Sequence, residues 1–169
     1  MLGAIALHAI RQGECALGER VLVIGLGLVG QLACQLAVAA GCTVTGYDLD
    51  EQKASSATEN TGVETFSDLG SLRENAYDVV LVTAATKSSQ PMETAARVAR
   101  DRARVVVVGD VGLSLDRRSY YEKELDVRFA RSYGPGRYDP AYEDHGVDYP
   151  IGYVRWTVSR NMQAFLEAC

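Results

Sequence analysis

The chain has 169 residues, 47% apolar and 23% charged, with a net charge of -5, which suits one globular domain with a sizeable core and excludes a disordered or fibrous chain. The acidic balance offers no basic patch for a nucleic-acid backbone, and no apolar run reaches the ~18 residues of a membrane span. The four cysteines, Cys15, Cys34, Cys42 and Cys169, show no Cys-x-x-Cys spacing; they read as reduced, mostly packed thiols of a cytoplasmic protein, not as zinc ligands or a disulfide frame.

In chain order, Leu2 to Arg11 is helix-like, with Leu2, Ile5, Ala6, Ala9 and Ile10 on one face and no start signal before it. It lacks the basic leader and cleavage site of a secretory signal. A polar connection, Gln12 to Glu19, leads to an apolar strand, Val21 to Ile24. A glycine turn, Gly25-Leu26-Gly27-Leu28-Val29-Gly30, opens a helix over Leu28 to Ala40, which stops at Gly41. A second strand, Thr43 to Tyr47, ends at Asp48. Asp50 caps a helix from Glu51 to about Glu59, ended by Asn60-Thr61-Gly62. Val63 to Phe66 is a third strand, and Ser67 or Asp68 starts a short helix to about Asn75. Asp78 to Val82 is a continuous apolar strand of the kind covered on both faces. Ser89-Gln90-Pro91 opens the next helix, with proline in its first turn. Arg104 to Val108 is a fifth strand, Ser119 to Leu125 a short helix, and Asp126 to Ser132 a sixth strand.

Glu19 to Asp48 carries the chemistry. Strand, glycine turn, helix, second strand and acid, in that order, supply the context that turns a bare G-x-G-x-x-G into a dinucleotide-binding fingerprint. Gly25 permits the tight turn, Gly27 lets a pyrophosphate approach the backbone, and Gly30 lets the helix pack closely on the sheet. The free N–H groups and positive dipole end near Leu28 and Val29 face the phosphates. Asp48, eighteen residues past Gly30, stands where a carboxylate accepts hydrogen bonds from the adenosine ribose. It favours NAD over NADP, because a 2′-phosphate beside it meets like charge and the next residue is Leu49, not arginine.

Six strands alternating with helices imply an α/β Rossmann fold: a doubly wound, six-stranded parallel sheet of order 3-2-1-4-5-6, with a core at about 19–132 in a single domain spanning 1–169. The strand exits at Gly25–Gly30, Thr83–Thr86 and Gly109–Gly112 then surround one crevice. Tyr133 to Trp156 differs in character. It holds five of the nine tyrosines and three of the four prolines, too aromatic for a disordered linker, and reads as an ordered irregular segment, either a partner surface, a substrate-side wall or a cover for the sheet edge. Asn161 to Cys169 reads as the first turns of a helix. The abrupt ends suggest a piece of a larger protein.

"GAIALHAIRQGECALGERVLVIGLGLVGQLACQLAVAAGCTVTGYDLDEQK", followed by "DVVLVTAAT" and "RVVVVGDVG", resembles the cofactor domain of medium-chain, zinc-type alcohol dehydrogenases over about Gly3 to Ser132. The tail, "KELDVRFARSYGPGRYDPAYEDHGVDYPIGYVRWT", resembles two-part bacterial oxidoreductases in which such a half is fused to one of the glucose-fructose oxidoreductase/inositol dehydrogenase type. The resemblance implies an NAD-dependent oxidoreductase whose zinc ligands and proton relay lie in a separate catalytic domain absent from this chain, with a small-molecule substrate of the sugar type. It carries over cofactor positions only: Gly25, Gly27, Leu28, Val29, Gly30, Asp48, Lys53, Thr83, Ala84, Gly109 and Val111. No residue is assigned to catalysis or metal binding.

Several of these have a plainer reading. Lys53 reaches either the ribose or solvent. Thr83 and Ala84 end a buried strand, and small residues there also leave room for a ribose or nicotinamide. Asp50 is a helix cap, and Asp110 an exit-loop acid. His8 is packed or at an interface, Cys34 and Cys42 face the core, and His145, beside Glu143 and Asp144, lacks enough convergent ligands for a metal. Two other functions use similar parts: a nucleotide-sensing regulatory module, against which the entering helix and the tail speak, and an S-adenosylmethionine-dependent methyltransferase, against which the long apolar run after Gly30 speaks. Strand six and the tail are candidate surfaces for a homo-oligomer, since sheet edges need covering.

Overall fold

In the computed structural model, which describes residues 1–168, seven α-helices and six strands alternate along most of the chain. The helices are α1 (Leu2–Gln12), α2 (Leu28–Ala39), α3 (Glu51–Thr61), α4 (Gln90–Val98), α5 (Arg117–Glu122), α6 (Pro140–Glu143) and α7 (Val158–Ala168). The strands are β1 (Arg20–Ile24), β2 (Thr43–Tyr47), β3 (Glu64–Phe66), β4 (Tyr77–Val82), β5 (Ala99–Val107) and β6 (Asp126–Phe129). All pair in parallel, in the order β3-β2-β1-β4-β5-β6, as the sequence pattern predicts. Because every strand points the same way, all six carboxyl ends lie along one edge of the sheet.

The central strands are apolar throughout because both faces are covered. Alternate residues feed two cores. Val21, Val23, Val79 and Leu81 face α1 and α2, with Ala6, Ala9, Ala33 and Ala37; Leu22, Val80, Val82 and Val105 face α4, with Met92, Ala95 and Val98. Alanines and Gly30 on the helices keep them close to the sheet. Cys34 and Cys42 are buried in the first core as expected, and Cys15 is half-buried. Burial pushes the thiols of Cys15 and Cys34 up to about 12, so they are protonated and poor nucleophiles. Cys169 lies outside the described residues.

Several boundaries differ from expectation, each for a local reason. The helix from Ser67 or Asp68 to Asn75 is only a 3-10 turn, Leu69–Ser71. Asp68 caps it, but Leu72 leaves in extended backbone with its side chain buried, and Asn75 takes φ 52°. The helix placed at Ser119–Leu125 begins earlier, at Arg117, because Asp116 accepts from the N–H groups of Arg118 and Ser119. Strand β5 starts at Ala99, not Arg104; a register shift over residues 100–103 accommodates Arg102 at φ 59°. Strand β6 ends at Phe129, not Ser132, because Ser132 turns the chain at φ 50°. Helix α6 was not expected, and α7 starts at Val158 rather than Asn161, its Val158 N–H donating to Pro135 O at 2.8 Å.

That last contact belongs to the docking of the tail on α1. Asn161, fully buried, accepts from the Arg11 guanidinium and donates to Tyr133 O at 2.8 Å. Arg11 and Arg155 both lie against the Trp156 ring, 3.3 and 3.8 Å from its centroid. Burial, reinforced by the charge of Arg155, lowers the Arg11 guanidinium to about 10.

Candidate dinucleotide site

The turn after β1 is built from three glycines with three different needs. Gly25 sits at φ 97°, and a Cβ there would lie 2.5 Å from Ala84 N. At Gly30 a Cβ would fall 1.9 Å from Gly25 O. Both positions are closed to any side chain by backbone alone. Gly27 is the exception. It caps α2 in ordinary extended backbone, φ -67° and ψ -174°, and a Cβ there would meet nothing within 4 Å. Within this chain, nothing requires glycine at 27; its missing side chain leaves open ground at the start of α2. No side chain caps that helix, so the N–H groups of Leu28, Val29 and Gly30, which have no intrahelical acceptor, are left with the positive dipole end facing the same ground. Leu28 is exposed, Val29 half-buried and Gly30 buried.

Asp48 closes the turn from the β2 side. One carboxylate oxygen accepts the Leu26 N–H at 2.7 Å and the other accepts the Asp50 N–H at 3.0 Å. Each oxygen retains a further lone pair, so the carboxylate is held in place and can still accept from a ligand hydroxyl. Asp50 in turn caps α3 through the N–H groups of Gln52 and Lys53 and pairs with the Lys53 ammonium at 3.8 Å. Both Lys53 and Asp50 are half-exposed, so this pair contributes little to stability and leaves Lys53 free to move.

Thr83 closes the turn from the β4 side. Its hydroxyl is 2.6 Å from Gly25 O and 3.0 Å from Ile24 O, and its N–H donates to Ile24 O at 2.8 Å. The one hydroxyl proton is thus spent on the turn itself. Gly109 lets β5 approach this exit: a Cβ there would lie 2.0 Å from Ala84 O. Val111 is buried and forms an isolated bridge with Thr86.

These elements enclose a cleft of about 480 Å³, bordered by Gly25, Gly27, Asp48, Lys53, Thr83 and Ala84. Six of the sequence-derived positions therefore line one cavity. Leu28, Val29 and Gly30 stand at the helix start beside it. Gly109 and Val111 do not line it; they back the β4 exit from the next strand. The opposite wall, made by Ser88, Gln90, Pro91 and Thr94 at the start of α4, is not among the sequence-derived positions. Its signal was present in the Ser-Gln-Pro helix opening, which follows the β4 exit directly. Ser88 Oγ accepts the Gln90 N–H at 3.1 Å there, and Ser89 Oγ accepts the Ser114 N–H at 2.9 Å.

A protein-family model described as zinc-binding dehydrogenase matches residues 29–144. This chain belongs to that family. Galactitol 1-phosphate 5-dehydrogenase of Escherichia coli (strain K12) is 31% identical over 115 residues, which are 62% of the chain but 33% of that enzyme. The crystal structure of galactitol-1-phosphate dehydrogenase from Escherichia coli superposes with a TM-score of 0.63 at 28% identity, covering 78% of this chain and 42% of that one. Two more distant structures share the fold. Acetophenone reductase from Geotrichum candidum, in complex with NAD, has a TM-score of 0.65 at 22% identity over 76% of this chain and 38% of its own. CAD from Helicobacter pylori, complexed with NADP(H), has a TM-score of 0.63 at 20% identity over 75% and 37%. The chain thus corresponds to the Rossmann portion of a zinc-binding dehydrogenase and spans a third of the length of its curated relative.

Zinc does not fit the residues present: among the described residues, no group of three or more His, Cys, Asp or Glu side chains is placed to hold a metal ion. His145 is exposed, Asp110 pairs with Lys87 at 3.0 Å, and His8 is buried in α1. No helix of the described residues is long and apolar enough to cross a membrane.

Proposed function

We propose that the chain holds NAD(H) in the cleft at the carboxyl ends of β1, β2 and β4, and that it is the cofactor half of a dehydrogenase. The observation that carries this reading is Gly27. Gly25 and Gly30 answer the needs of the protein's own backbone, but glycine at 27 answers none, and it borders the one place where an uncapped helix start, a fixed carboxylate and a cleft meet. A pyrophosphate accounts for all three. In this reading the free N–H groups of Leu28, Val29 and Gly30 take the phosphates. Asp48, oriented by Leu26 and Asp50, accepts from the ribose hydroxyls, and Lys53 reaches the same sugar. Thr83 and Ala84, backed by Gly109 and Val111, form the wall toward the nicotinamide end. When bound, the dinucleotide supplies hydride transfer at its nicotinamide ring; this chain supplies position and fixed dipoles.

The intact protein, on this reading, adds a catalytic domain that holds the substrate and any zinc. The tail supports a second half of the glucose-fructose oxidoreductase type and a sugar-like substrate. The free thiols among the described residues suit a cytoplasmic location, and the open edge of β6, with Phe129 exposed, suits pairing with a second copy.

Calorimetric titration of the chain with NADH, NADPH and S-adenosylmethionine tests the reading. NADH is expected to bind in preference to NADPH, and S-adenosylmethionine not at all. Gly27→Val is expected to weaken NADH at least about tenfold in a chain that still folds, since a Cβ at this position meets no protein atom within 4 Å. Asp48→Asn keeps an acceptor for Leu26 but removes the charge, and is expected to narrow the NADH-to-NADPH ratio. Binding of S-adenosylmethionine alone, or full NADH affinity in Gly27→Val, would overturn the placement.

A further inference from the structure

A second cavity, about 430 Å³, opens between α1, the exit of β6 and the tail, and the dinucleotide reading makes no use of it. It lies along the same sheet edge as the first cleft, because all six strands are parallel. His8, Phe129, Arg131, Tyr138, Asp139 and Tyr149 border it.

Its charges are unevenly answered. Asp139 is committed to the protein: it accepts from the Tyr149 hydroxyl and from the Ala141 N–H at 2.9 Å. Arg137, stacked 4.2 Å from the Tyr138 ring centroid, gives one amino group to Glu143, while its Nε is buried with no partner. Arg131 lies 4.6 Å from the same Tyr138 ring and has no carboxylate within salt-bridge reach among the described residues. Two guanidinium groups therefore converge on one aromatic ring, with two carboxylates nearby: Glu143, paired with Arg137, and Asp139, held by neutral donors, so that Arg131 is the cation left without an ion pair among the described residues. Burial and the charge of Arg11 lower the His8 imidazole, keeping it neutral. The bond to Ser132, and then the charge of Arg137, hold the Tyr138 hydroxyl below its usual range, while the bond to Asp139 raises that of Tyr149.

The backbone is strained to make this arrangement. Ser132 and Tyr138, neither a glycine, take φ 50° and 66°, and their side-chain oxygens lie 3.4 Å apart. Such strain persists where surrounding contacts over-determine it, and it concentrates at ligand sites. Here Asn161 holds the turn from beneath through Tyr133 O. The result is that Tyr138 is carried to the mouth of the cavity between the two arginines.

We propose that this cavity binds the carboxylate or phosphate group of a small molecule, with Arg131 as its ion partner and Tyr138 and Tyr149 as flanking walls. Guanidinium groups with unclaimed donors suit such oxyanions. The assignment is independent of the dinucleotide, and its test needs none. The full chain is titrated with inorganic phosphate, with glucuronate and with neutral glucose, following Arg side-chain and Tyr ring resonances by NMR. Saturable, salt-sensitive binding of phosphate or glucuronate is expected, glucose serving as the control, and whichever anion binds identifies the headgroup. Arg131→Gln is expected to weaken that binding at least tenfold with an unchanged circular dichroism spectrum, because Arg131 is exposed and supports no core; Arg131→Lys, which keeps the charge but not the planar donors, restores only part of it. Absence of saturable binding by either anion, or equal affinity in Arg131→Gln, overturns the proposal.

Discussion

Two turns leave the same edge of the sheet, one after β1 and one after β6, and they are held by opposite means. The turn at Gly25–Gly30 is made by backbone. Its positive φ falls on a glycine, its close contacts are between main-chain atoms, and the side chains that hold it, Asp48 and Thr83, bond to N–H and C=O groups. The turn at Ser132–Tyr138 is made by side chains. Two of its positive φ angles fall on Ser132 and Tyr138, and its anchors are Asn161, Arg11 and Trp156, brought together from the two ends of the chain. The first is a cradle of backbone, set by those glycines and closed by the neighbouring strands through Asp48 and Thr83. The second exists only when α1 and α7 are already packed. A site of the first kind tolerates changes around it; a site of the second kind is lost when a remote anchor is lost.

Substitutions separate the two. The largest effect is expected at Gly30→Ala. The added methyl group meets Gly25 O and Thr83 Oγ1, neither of which can retreat without opening the turn, so a loss of about 3 kcal/mol is expected in urea denaturation. A loss near zero would show that α2 slides freely and that the cradle is not rigid. Next is Asn161→Ala. It leaves the half-buried Tyr133 carbonyl and the Arg11 guanidinium without their partner, a cost of about 1–3 kcal/mol. Its distinctive readout is local: trypsin is expected to cut at Arg131 and Arg137 much faster, while NADH binding stays as it was. Coupled loss of NADH binding would mean that the two turns are not independent.

The smallest effect concerns pH. The imidazole of His8, buried between α1 and the tail, titrates below its ordinary value of 6.5, chiefly through burial and then through Arg11. The unfolded chain therefore binds a proton in a range where the folded chain does not, and stability falls as pH drops below 6.5 until the folded imidazole also titrates. His8→Gln is expected to flatten this slope. An unchanged slope would place that acid sensitivity in a group other than His8; Asp78, whose carboxylate is held low by the Arg20 N–H and by Arg100, loses its contribution only below pH 3.8 and does not act in this window.

Legibility followed the same division. The cap at Asp50, the three glycines and the position of Asp48 were open to reading because each is a short-range consequence of periodicity, capping or backbone conformation, and the order of strands followed from the rules for connecting alternating strands and helices. Asp116 was missed as a cap because a run of polar residues surrounds it, and Asp68 offered a cap to a helix that never grew because the burial of Leu72 pulled the chain straight. What the sequence determined by itself is the set of strands and helices and the place of the glycine turn, which depend on residues within a few positions of one another, and the sheet order, which follows from the general rules for connecting alternating strands and helices although it pairs Val21 with the distant Val79. Only the tertiary structure decided that Gly27, alone of the three glycines, has no internal reason to be glycine. It also decided that α4 walls the cleft and that Arg131, Arg137 and Tyr138 meet beside His8. Those facts depend on distances between residues far apart in the chain, which side-chain packing sets and local pattern does not encode.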